Sequence, residues 1–189
     1  MSKIKLTNGF GLSVTPAAAV MWCGLLSRGV WMPIVCAFVH ELGHLLALHL
    51  TGTSVGRMKI DVLGADIRHG ECRTYGAEIA VNTAGACANL LFSAVCLLIR
   101  NPELAATNLG LAVFNLIPAR PFDGGKAIYA LLCRTAGITQ ADKITNILNK
   151  STAIIFGILS GWLLFYNIGG PLWLVTAAMA AVVMFACGK

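Results

Sequence analysis

Val30–Leu50 reads VWMPIVCAFVHELGHLLALHL, and apart from three histidines and Glu41 every side chain in these 21 residues is apolar or small. The length suits a membrane-spanning helix, which needs about 20 apolar residues. Yet His40, Glu41 and His44 sit near its middle. An ionisable group at bilayer depth costs roughly 2.5–3.5 kcal/mol on insertion scales, so such groups mark function by default. Their order, HELGH, has the spacing of a zinc-hydrolase helix. Positions four apart fall about 40° apart on a 3.6-residue helix, so His40 and His44 can grip one metal. Glu41, one step round, can address water at that metal as a catalytic base.

Composition agrees with a membrane setting. The 189 residues are 57% hydrophobic and 12% charged, with a mean hydropathy of +0.77, against about 25% charged in soluble chains. Six apolar segments are counted, near Gly11–Leu26, Val30–Leu50, Ala77–Ile99, Leu104–Pro118, Thr152–Tyr166 and Pro171–Ala186. The expected fold is therefore an all-α polytopic membrane protein of about six transmembrane helices, forming a single domain over residues 1–189. A small membrane-associated β-hairpin is expected after the second helix, and no PDZ or nucleotide-sensing domain. The net charge of +6 does not point to nucleic acid, because the basic residues form no stripe with interleaved aromatics. With six spans, Lys3, Lys5, Arg57, Lys59, Arg68, Arg73, Arg120, Lys126, Arg134, Lys143, Lys150 and Lys189 share one side; only Arg28 and Arg100 face the other. That bias makes the first side cytoplasmic, with both termini there, as for a protein of the bacterial cytoplasmic membrane. The seven cysteines show no metal-type spacing and read as small hydrophobes.

Thr53–Glu71 changes period. Met58, Ile60 and Val62 alternate with Arg57, Lys59 and Asp61, the pattern of a half-buried strand, and Leu63–Gly64 can turn it into a hairpin. It reads either as an ordinary cytoplasmic loop or as an edge that an extended peptide joins, with Met58, Ile60 and Val62 against the substrate. Farther on, Asn82, Thr83, Asn89 and the run Gly85–Ala88 make a polar, closely packable helix face. Asn89 is also a candidate donor to a substrate carbonyl or oxyanion.

In AVFNLIPARPFDGGKAIYALL, residues 112–132, Pro118 and Pro121 forbid a continuous helix, and Gly124–Gly125 adds a second break. Asp123 lies inside that break. It reads as a helix cap or as the carboxylate completing a His–His–carboxylate zinc site. The extended HExxHxxGxxH signature fails at Ala47 and Leu50, and His49 falls on the opposite helix face from His40. Glu71 and Glu78 stay as outside candidates. The polar stretch Gln140–Lys150 reads as a cytoplasmic connector.

Together HELGH at 40–44, GACAN at 85–89 and NLIPARPFDGG at 115–125 resemble the site-2 protease family of intramembrane zinc metalloproteases. The likeness is closest to its bacterial members of the type that process a sporulation sigma-factor precursor. The resemblance implies one zinc per chain held by His40, His44 and Asp123, with Glu41 as the catalytic glutamate. It implies that Asn115, Pro118 and Pro121 shape the active-site approach, that the hairpin seats substrate, and that Asn89 matches a GxxxN pattern. The implied partners are the lipid bilayer, a transmembrane or membrane-associated protein substrate, and an inhibitory or regulatory membrane protein. The other reading of the same ligands is a membrane metal transporter or metal sensor, which would not need Glu41 as a base.

Overall fold

Met32 and Pro33 open helix α1 (Met32–Thr51), where proline's missing N–H goes unneeded. Gly52 closes it in the left-handed region at φ 66°, with its N–H on the His49 carbonyl and the Thr53 N–H on the Leu48 carbonyl. A glycine at this position accepts that backbone without a Cβ penalty, so the helix stops sharply before the strands. The computed structural model describes residues 11–14, 31–53, 55–61, 64–69, 72, 74–166 and 172–187. The chain falls into two compact units, Met1–Phe114 and Asn115–Lys189.

The first unit holds α1, a small sheet, and helix α2 (Tyr75–Leu98), together with most of α3 (Pro102–Asn115). Thr74 caps α2 by accepting the Ala77 N–H at 3.1 Å. Gly43 of α1 lies against α2 so closely that a Cβ there would stand 2.6 Å from the Ala84 carbonyl oxygen, the small-residue packing that lets membrane helices approach. Cys36, Cys96, Leu104 and Ala105 form one buried cluster across the three helices. The strands β1 (Gly11–Val14), β2 (Val55–Asp61) and β3 (Gly64–His69) make one sheet in that order. β1 runs parallel to β2; β3 runs antiparallel, pairing Met58 with Ile67, Lys59 with Asp66 and Ile60 with Ala65.

The second unit holds α4 (Asp123–Ala136), α5 (Ile138–Phe165) and α6 (Leu172–Cys187). Along α5 the buried residues Ala141, Thr145, Asn149 and Ala153 recur every four positions, one stripe of a helix. Ala119, Phe122, Ala153 and Val183 share a second buried cluster, flanked by Ile117, Phe156 and Met179.

The expected fold is corrected here. The all-α, six-span architecture with a two-stranded hairpin does not hold. Among the described residues three helices, α1, α2 and α5, are long and apolar enough to cross a membrane. At about 1.5 Å per residue α3 is about 21 Å long and α6 about 24 Å, short of the roughly 30 Å hydrocarbon layer. The segment counted as a first span begins as strand β1, which adds a third strand to the sheet; its remainder, residues 15–26, lies outside the described residues. Gln140–Lys150 is no connector but the first turns of α5.

Candidate metal centre

His40 and His44 project from the buried face of α1, at 6% and 9% exposure, while His49 is exposed. The Nδ1 of His44 lies 2.7 Å from the Val81 carbonyl oxygen. A carbonyl only accepts, so Nδ1 carries the proton and Nε2 presents its lone pair. The Nε2 atoms of the two rings stand 3.1 Å apart, with the rings edge to face. Two nitrogens each about 2.0–2.1 Å from one tetrahedral zinc would lie about 3.3 Å apart. The pair is therefore set for a shared ion with little adjustment.

Gly85 of α2 supplies the room. A Cβ built there would fall 2.5 Å from His44 Nε2 and 2.7 Å from His40 Nε2, too close for any packing contact. Any side chain at 85 would crowd both Nε2 atoms and the Cε1 of His40. The donor set and the space it faces fit zinc.

Asp123 belongs to the second unit. It is the first residue of α4, with Phe122 at the N-cap, so the expected capping position is one residue earlier. Its carboxylate is 8% exposed by residue and takes a 3.0 Å ion pair from Lys126, one turn on. The turn before it is built on two close backbone approaches. Gly124 packs on the Leu116 backbone and Gly125 on the Ala119 carbonyl, where a Cβ would collide. Arg120 reaches from this turn to Asp142 of α5 at 2.7 Å and lies 4.8 Å from the centre of the Tyr129 ring. Burial first, then the Cys133 thiol and the Asp142 carboxylate, push Tyr129 up to about 12, so its hydroxyl stays protonated at neutral pH.

The remaining expected residues divide. Asn89 is fully buried, and its Nδ2 donates at 3.1 Å both to the Cys36 carbonyl of α1 and to Asn108 Oδ1 of α3. Both amide hydrogens thus have acceptors inside the helix cluster. Asn115 ends α3 half-buried, Pro118 is exposed and Pro121 half-buried, all in or beside the break. Met58 and Ile60 lie in β2, whereas Val62 falls outside the described residues. Sequence reading passed over Asn108 and Asn149, both fully buried. Asn149's place on the four-residue stripe of α5 was the available signal, hidden by the polarity of its neighbours.

This arrangement is, in fold, that of a site-2 protease: it aligns with the solved Site-2 Protease from Methanocaldococcus jannaschii over 96% of this chain and 90% of that one, with a TM-score of 0.67 at 20% identity. In sequence the chain is similar to a zinc metalloprotease of the same organism, 29% identical over 141 residues and 67% of this chain. It is also similar to Rip3 of Mycobacterium tuberculosis, a protein assigned as a zinc metalloprotease, 32% identical over 136 residues and 64% of this chain. The matches cover 41% and 34% of those proteins, so the chain spans less than half the length of these curated relatives. No protein-family model matches it.

Proposed function

We propose that this chain is an intramembrane zinc endopeptidase of the site-2 protease type, holding one zinc through His40, His44 and Asp123. The observation that carries the reading is the pair of Nε2 atoms 3.1 Å apart on the buried face of α1, with Gly85 packed against them. The names of the similar proteins support it. They give none to metal transport, the other use of these ligands. The buried carboxylate of Asp123, at the head of its own helix, has the chemistry of the third ligand. The narrower likeness, to bacterial enzymes that process a sporulation sigma-factor precursor, rests on the three sequence motifs taken together.

When bound, zinc supplies Lewis acidity that lowers the pKa of water to about 7 and polarises a carbonyl. The chain does the rest. Glu41, beside His40 on α1, takes the proton from the attacking water and hands it to the leaving amine, so the peptide C–N bond breaks into an acid and an amine. His44 is held in its ligating tautomer by Val81. A helical substrate hides its carbonyls in internal hydrogen bonds and must open locally; pairing with a strand of the sheet offsets that cost. We take Met58 and Ile60 on that strand, Val62 next after it in the sequence, and Asn115, Pro118 and Pro121 at the break, to line the substrate's path. The setting is a membrane with the basic connections and both termini on the cytoplasmic side, and an inhibitory or regulatory membrane protein would act there.

The test is the variant Glu41→Gln in purified full-length protein. It should keep one zinc per chain and lose cleavage of a membrane-embedded peptide by about 100-fold or more, the scale of losing a general base. Cleavage at the normal rate by a zinc-loaded Glu41→Gln protein would sink the assignment.

A further inference from the structure

The break before Asp123 is a stretch of irregular backbone whose amides need partners. Pro118 and Pro121 have no N–H to satisfy. Within the turn the Ala119 N–H reaches the Ile117 carbonyl at 2.8 Å, and the Phe122 N–H the Ala119 carbonyl at 2.9 Å. The Arg120 N–H, between the prolines, goes instead to a side chain: Asn149 Oδ1 of α5, at 2.9 Å. Asn149 is fully buried, and its Nδ2 has no hydrogen-bond partner among the described residues. An asparagine that leaves one polar atom unmatched in a buried stripe is costlier than a leucine there. What a leucine cannot give is the acceptor.

We infer that Asn149 is a positioning residue for Asp123. It fixes the turn through the Arg120 N–H, three residues before the carboxylate. The Arg120 side chain on Asp142 and the Ala119–Phe122–Ala153 cluster hold the same turn to the same helix. Of these three ties, the Asn149 bond is the one made to the turn's backbone. This inference rests on the zinc reading of Asp123 and extends it to a residue 26 positions farther along the chain.

The experiment uses full-length protein in detergent, with zinc affinity measured by chelator competition and ligand geometry by the visible absorption of the cobalt(II)-loaded form. Asn149→Leu keeps the volume and removes the acceptor. It should weaken zinc roughly 10–100-fold, as for other groups that orient a ligand, and reduce the tetrahedral cobalt band. Asn149→Asp keeps an acceptor oxygen and should stay near wild type in both readouts. Thr145→Val, one turn earlier on the stripe, should change neither, because its hydroxyl bonds the Ala141 carbonyl of its own helix. Wild-type zinc affinity and cobalt spectrum in Asn149→Leu would overturn the inference. So would a comparable loss of zinc affinity in folded Asn149→Asp, and that variant decides the matter by itself if Asn149→Leu fails to fold. Failure of the zinc reading itself has a different signature: His40→Ala and Asp123→Ala would then bind zinc as the unaltered protein does.

Discussion

Gly85 shows how much a single missing side chain decides. Its Cα hydrogen faces both Nε2 atoms, and a methyl in its place would stand 2.5–2.7 Å from them. Such a methyl cannot yield, since it is fixed to the backbone of α2. Gly85→Ala should therefore abolish zinc retention, weakening it by at least about 100-fold, the upper end for disturbed ligand geometry. Helix content should be unchanged. Metal analysis beside circular dichroism checks both. Gly110→Ala is the control, because a Cβ there meets nothing within 4 Å; it should leave zinc alone. At this scale the sequence was most informative. HELGH offers two candidate ligands and a candidate base by spacing alone. Nothing in the spacing of GACAN says that its first residue faces those ligands, because that depends on how α1 and α2 pack.

Elements depend on pairs of polar side chains that hydropathy does not see. Asn89 and Asn108, both fully buried, tie α2 to α1 and to α3, and Ser93 adds a 2.8 Å bond to the Ala105 carbonyl. The Cys36 carbonyl that Asn89 grips lies four residues before His40, where α1 also uses it for its own ladder. If Asn89 acts by packing, Asn89→Ala and Asn108→Ala should lower stability by similar amounts. Their double-mutant coupling should be about 0.6–1.7 kcal/mol, the range for such bonds in membranes. Reversible unfolding in mixed micelles measures it. A role at the oxyanion would instead lower kcat in Asn89→Ala alone, with stability kept. The same blindness explains α5. Asp142, Lys143 and Lys150 gave its first turns the look of a connector, although Ala141, Thr145, Asn149 and Ala153 already marked a helical stripe. Strand β1 was missed for the opposite reason: four residues at the edge of an apolar run carry too little period to be told from the start of a span.

At the scale of the molecule, counting apolar runs overestimated spans because apolarity and length are separate requirements. The 14 residues of α3 and the 16 of α6 meet the first and fall short on the second. Charge gives an independent constraint. Arg100 follows α2 with a left-handed φ of 60°, whereas Lys59 of β2 lies in the basic segment before that helix. If that basic segment faces the cytoplasm, α2, long and apolar enough to cross, carries the chain from Lys59 on that side to Arg100 on the other. Irregular backbone beside a membrane survives only where protein satisfies its amides, the condition that Asn149 meets for Arg120. A cysteine at 59 (Lys59→Cys) should then react with a membrane-impermeant maleimide only from the cytoplasmic side of oriented vesicles, and Arg100→Cys only from the other. Labelling of positions 59 and 100 from the same side would mean that α2 does not cross.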